Sequence, residues 1–193
     1  MNVIYFVITM VILLVSRCEC FAQQNPDLVE EINVMYEEDQ KTRSEVMERD
    51  MSFEEFNKKL NEIDGKNLPY VKAIIMQYGW PGYELVGEEG SDRMWLLVQH
   101  CDRDVEFQKY CLELLEEAVQ KGDASKKRLA YLRDRVLVNE GNPQLYGTQM
   151  FLIDGHCELR PVEDLENLDK RRQEMGLCTI DEYFEILRQH YGK

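Results

Sequence analysis

The sequence predicts a mainly α domain of the α+β class, in which several helices carry one packed β-hairpin. Three observations predict it. Apolar residues recur at three- and four-residue spacing over most of the chain. Capping-box patterns stand at Ser52-Phe-Glu-Glu55 and Thr179-Ile-Asp-Glu182. Only Asp154-Gly155, a pair favoured in tight hairpin turns, joins two runs that read as strands.

The elements follow in order. Pro26 and Asp27 open a polar helix through about residue 49, with Leu28, Ile32, Met35 and Tyr36 on one stripe. Phe53, Phe56, Leu60 and Ile63 continue at helical spacing until Asp64-Gly65, which is expected to stop the second helix. A third is expected from Pro69 to about residue 77, ended by Gly79. Glycines at 79, 82, 87 and 90 then mark a loop. Ser91 caps a short helix to about residue 99, Asp102 or Asp104 a longer one ended by Gly122, and Ser125 a third with Leu129, Leu132 and Val136 inward. Strands are expected over residues 145–153 and 156–161, and because a lone hairpin is marginal in water it must pack on the helices. Two helices close the chain, one ended by Gly176 and one running from Ile180 to about residue 190.

Residues 1–22 read as a secretion signal. An apolar run over residues 3–15 is too short for a membrane span, and Cys20-Phe-Ala22 offers small residues for cleavage before Gln23. The expectation is therefore a periplasmic or secreted protein with no span after cleavage; an uncleaved, membrane-anchored form is the alternative. Residues 23–66 then form N-terminal helices and residues 67–193 a core, expected to make one unit. The formal net charge of -14 argues against a nucleic-acid partner, because no basic cluster is larger than Lys126-Lys-Arg128 or Lys170-Arg-Arg172. Of the cysteines past the leader, Cys111 reads as a small core residue, while Cys157 and Cys178 are the better placed for a bridge. No Cys-x-x-Cys, phosphate loop, Gly-x-Ser-x-Gly or His-Glu-x-x-His pattern is present, and no cofactor is expected.

Candidate chemistry rests on scattered polar residues. His100 stands at a helix end beside Asp102, and residues two apart converge only if the helix breaks between them. His156 could add a third ligand, but the spacing is not that of a metal site, and none is expected. Asp134 and Arg135 flank a buried stripe. Alternation through residues 144–149 places Gln144, Tyr146 and Thr148 on one strand face and Gln149 on the other, with Gly147 as a bulge. Trp80 sits in the glycine-rich turn.

Together, Gly79-Trp-Pro-Gly82, Trp95-Leu-Leu-Val-Gln-His-Cys-Asp102, Tyr131-Leu-Arg-Asp-Arg135 and Tyr146-Gly-Thr-Gln149 resemble a bacterial family of unknown function over roughly residues 67–190. The resemblance implies a bacterial source and makes His100, Asp102, Asp134, Arg135, Tyr146 and Gln149 motif positions. It implies no activity. Two readings follow. One is an envelope module binding a small molecule or another envelope protein, with Trp80, Arg135, Gln144, Tyr146 and Gln149 as ligand-binding candidates. The other is a hydrolase-type enzyme with His100 as general base and Asp102 or Asp134 as its partner.

Overall fold

A computed structural model describes residues 24–49, 51–153 and 156–191. The leader expected over residues 1–22 and the Asp154-Gly155 turn lie outside the described residues. Helix α1, Pro26–Met47, begins at Asn25, whose side chain accepts from the Leu28 amide at 3.1 Å. Helix α2, Phe53–Tyr78, begins at Ser52, whose hydroxyl accepts from the Glu55 amide at 3.2 Å.

Helix α2 does not stop at Asp64-Gly65. It runs through Pro69 as one helix of 26 residues, and the position expected to separate N-terminal helices from core falls inside it. A proline inside a helix removes one hydrogen bond and crowds the carbonyl four residues back, at a cost of about 3 kcal/mol. That carbonyl belongs to Gly65, the most adaptable residue available. The gain outweighs the cost, because Ile63, Val71, Ile74 and Ile75 are all buried along the uninterrupted stripe and each contributes about 1.5–3 kcal/mol.

The Gly79–Gly82 turn leads into α3, Tyr83–Gln99, which starts eight residues before the expected Ser91. Only Gly87 (φ 75°, ψ 170°) breaks its helical geometry, as a kink. The start of α3 is held by the turn around Asp123, which accepts from the Tyr83 amide through its backbone oxygen (2.9 Å) and from the Glu84 amide through its carboxylate (2.8 Å). Gly82 is required there. A Cβ at that position would lie 2.0 Å from Asp123 Oδ2 and 2.7 Å from its backbone oxygen.

Helices α4, Val105–Gln120, and α5, Lys126–Asn139, are capped by Asp104 and Ser125. The hairpin follows: β1, Met150–Ile153, pairs antiparallel with β2, His156–Leu159, in the register Met150 to Leu159 and Phe151 to Glu158. The strand expected over residues 145–153 is thus only its last four residues. A 3-10 turn, Leu165–Asn167, and helices α6, Leu168–Glu174, and α7, Ile180–Tyr191, complete the chain. The predicted box at α7 is reciprocal: the Thr179 amide donates to Glu182 Oε2 (2.9 Å) and the Glu182 amide to Thr179 Oγ1 (3.3 Å).

The fold is therefore mainly α with one small hairpin. Helix α1 packs on α2 and α3, α4 packs on α5, and β2 lies against α7. Leu28, Ile32, Val71, Met94, Cys111, Leu115 and Leu132 meet in one core. Among the described residues no helix is long and apolar enough to cross a membrane. Cys101, Cys111, Cys157 and Cys178 are all free thiols, so Cys157 and Cys178, the better placed pair, do not form a bridge. The two sulfurs have different surroundings: Cys178 Sγ lies 3.8 Å from the Arg172 guanidinium, whereas Cys157 faces a groove with Met150 and Leu187.

Because the Asp123 backbone cannot retreat, the variant Gly82→Ala is expected to lose about 2 kcal/mol or more, the cost of overpacking a closed site. Urea unfolding measures it. Unchanged stability would show that the α4–α5 turn does not anchor α3.

Candidate functional site

Residues 144–149 form an irregular loop: Gln144 makes an isolated parallel bridge with Val162, and side chains from other elements take up many of the remaining backbone groups. Asp134 on α5 is completely buried and turns its carboxylate into this loop. Its Oδ1 accepts from the amides of Leu145 (2.8 Å) and Tyr146 (3.0 Å), and its Oδ2 from the amide (3.0 Å) and hydroxyl (2.9 Å) of Thr148. Burial pushes the Asp134 carboxyl above the usual carboxylate range, against the pull of these donors on the ionised form.

The loop carbonyls are met from the opposite side. Arg171 Nε donates to Leu145 O (2.9 Å), and Arg172 Nη1 donates to Tyr146 O (2.6 Å). Arg172, 1% exposed, also donates from Nε to Cys178 O (2.6 Å) and lies 5.0 Å from the centre of the Tyr183 ring. Gln144, also buried, uses its side-chain amide as a strand would use its backbone. It accepts from the Gln149 amide (2.8 Å) and donates to the carbonyls of Gln149 (2.8 Å) and Arg160 (3.0 Å). Gly147, at φ +65°, makes the bend that brings these groups inward.

A second network lies above the first. Arg135 grips Asp102 through Nε (2.9 Å) and Nη2 (2.5 Å) and reaches Gln149 Oε1 through Nη1 (3.3 Å). Asn139 donates to Asp102 Oδ1 (2.9 Å) and to Gln108 Oε1 (3.0 Å). Gln108 closes the end of α3 by donating to the carbonyls of Val98 (3.1 Å) and Gln99 (3.2 Å). Burial would raise the Asp102 carboxyl, but Arg135, Asn139 and Gln108 overcome that and hold it below its ordinary value.

His100 belongs to neither network. Its Nδ1 lies 3.1 Å from Oδ2 of Asp39, a fully buried carboxylate on α1. Arg43, one turn further on, places Nε 3.1 Å from both oxygens of Asp39 and pairs through Nη2 with Asp64 on α2. Burial pushes the Asp39 carboxyl up, and the hydrogen bonds and positive charge of His100 and Arg43 more than reverse this, to about 2. An ionised carboxylate can only accept, so Nδ1 carries the ring hydrogen and Nε2 has no partner among the described residues. Burial raises Asp64 in turn. The three helices α1, α2 and α3 therefore meet at a histidine, an arginine and two carboxylates pushed in opposite directions.

The structure thus sorts the sequence-predicted residues into four places. Asp102, Arg135 and Gln149 come together; Asp134, Gln144 and Tyr146 come together beneath them; His100 is apart from both, with Asp39 as the carboxylate at hydrogen-bond distance. Trp80 is buried in the turn before α3, its indole Nε1 donating to Ser91 Oγ at 3.3 Å. The alternating strand faces assigned to residues 144–149 are replaced by a loop whose polar groups point at Asp134 and Arg172. Asp39, Arg43, Asp64 and Arg172 were not among the sequence candidates. One signal was present: Asp39 continues the Leu28, Ile32, Met35 stripe at helical spacing, an acid where the pattern asks for an apolar residue.

These features define a mainly helical domain in which a buried carboxylate and a buried guanidinium organise the loop before a single hairpin. Over residues 26–193 the chain matches the family of unknown function DUF6624, and it belongs to that family. The match takes in α1 and the first half of α2, which supply Asp39, Arg43 and Asp64 and precede the motifs from which the likeness was read. No curated protein and no solved structure matches the chain.

Replacing Asp134 by Ala leaves several buried amides without an acceptor, and the expected loss is about 3 kcal/mol in denaturant unfolding. A change under about 1 kcal/mol would mean that the loop holds itself. Asp39 predicts a pH dependence. Its folded value of about 2 lies below the unfolded value of about 3.9, so its contribution is complete above roughly pH 4 and is lost as pH falls toward 2. Unfolding free energies of the wild type are expected to drop by about 2 kcal/mol more across that window than those of Asp39→Asn. Parallel curves would show that the pair does not bear on stability.

Proposed function

We propose that this is an exported domain of the bacterial envelope that works as a ligand-binding or protein-interaction module. The observation that carries the reading is the engagement of the polar groups around residues 144–149 inside the fold. Asp102, Asp134, Gln144, Tyr146 and Arg172 are engaged with backbone or side-chain partners inside the fold, as expected of groups that shape a surface and not of groups that react. Thr148, fixed on Asp134, lines an apolar groove of about 290 Å³ with Met47, Met150, Phe151 and Tyr183. That groove is a contact face of the kind the module reading requires. The leader pattern over residues 1–22 supports export, and the acidic charge disfavours nucleic acid.

A second reading has one observation in its favour. The Asp39–His100 pair has the form of an oriented general base, with Nδ1 held by a carboxylate and Nε2 unpartnered among the described residues. On this reading the domain is a hydrolase, with Asp39 in the orienting role assigned to Asp102 or Asp134 from the sequence.

Export is tested by recovering the protein from its native host and sequencing its amino terminus. The expected start is Gln23 in the periplasmic or secreted fraction; Met1 in the cytoplasm overturns the assignment. The choice between module and enzyme is tested on a panel of ester, amide and phosphoester substrates. The module reading expects no difference between wild type and His100→Ala. Turnover in the wild type that falls at least about a hundredfold in His100→Ala, the scale of general-base catalysis, establishes the enzyme instead.

A further inference from the structure

We propose that Asp39, Asp64 and His100 form a binding site for one divalent transition-metal ion of the Zn²⁺ type, with Arg43 as the internal cation that the ion displaces. The inference does not depend on the module or the enzyme reading.

The geometry carries it. One ligand atom from each of the three residues lies within 4.8 Å of the others, the spacing of groups that surround a single ion. The ligands come from three helices, α1, α2 and the end of α3, so helix packing sets the site in advance. One imidazole and two carboxylates suit borderline divalent ions, and three protein ligands leave a position open for water or a further ligand.

The position already demands positive charge. Arg43 contacts both carboxylates, which carry two negative charges when ionised, and the His100 ring lies against one of them. A divalent ion would neutralise both at once. The Arg43 side chain is 18% exposed, which gives its guanidinium, on a flexible stem, a route to solvent once an ion takes over the carboxylates.

Two further buried side chains stand near the ligands in the sequence. The side-chain nitrogens of Asn67 and Gln99 are buried without a hydrogen-bond partner among the described residues. Asn67 stands one turn from Asp64 on the stripe that continues Ile63, and Gln99 immediately precedes His100. Such orphaned amides are rare in native folds and call for a partner the protein alone does not supply.

The experiment uses the full-length chain, stripped of metal, with Zn²⁺ in calorimetric titration and Co²⁺ as the spectroscopic probe. The expected result is one ion per chain and visible Co²⁺ bands of mixed nitrogen and oxygen ligation. Affinity should fall at least about tenfold in Asp64→Asn and in His100→Ala, each shown to be folded by circular dichroism, as removal of an inner ligand requires. The sharper arm is Arg43→Met. Removal of the competing cation is expected to tighten Zn²⁺ binding about tenfold or more, and Zn²⁺ should restore stability lost in the metal-free variant. Absence of stoichiometric binding in both wild type and Arg43→Met overturns the proposal. So does binding that survives unchanged in Asp64→Asn, since the ion would then sit on surface acids.

Discussion

Everything around the hairpin depends on one constraint: a buried backbone that is neither helix nor strand must find a partner for each N–H and C=O. Residues 144–149 are such a segment. Asp134 gathers amides from one side, Arg172 and Arg171 take carbonyls from the other, and Gln144 closes the ring to Gln149. A buried charge is costly when unpaired. Here each charge is met by an array of backbone dipoles, which is how Arg172 can be 1% exposed on a helix beside Lys170 and Arg171.

The same loop transmits order in two directions. Through Gln149 and Arg135 it ties to Asp102 and thereby, by way of Gln108, to the end of α3. Through Arg172 and Cys178 it ties to the start of α7. The hairpin is too short to be stable alone and is held in place by these links, with β2 resting on α7. At the other end of α3, the Gly82–Asp123 contact and the kink at Gly87 set where the helix begins. His100 therefore arrives beside α1 and α2 at a position fixed from both ends of its own helix.

That arrival creates the second electrostatic centre. Asp39 and Arg43 face each other one turn apart on α1, but Asp64 and His100 come from other helices, and no local pattern names them as partners of that pair. Asp39 was visible only as an acid on an apolar stripe, and Asp64 read as a helix stop because Asp-Gly is a common terminator. The alternation at residues 144–149 misled for a related reason. Period-two patterning records which residues share a strand face, but a loop clasped by Asp134 and Arg172 produces the same polar spacing by turning its groups toward two side chains.

By itself the sequence determined what short-range physics controls: the mainly helical class, caps at Ser52, Ser125 and Thr179, the presence of a hairpin near its expected place, and the core stripes. These are contests between neighbours three or four residues apart. The tertiary structure alone decided that α2 continues through Pro69, that α3 begins at Tyr83, and that Asp39 rather than Asp102 or Asp134 partners His100. Each of these outcomes turns on burial against a distant helix. The few kcal/mol gained there outweigh a proline or glycine penalty of similar size, and no local pattern records which distant surface will be present.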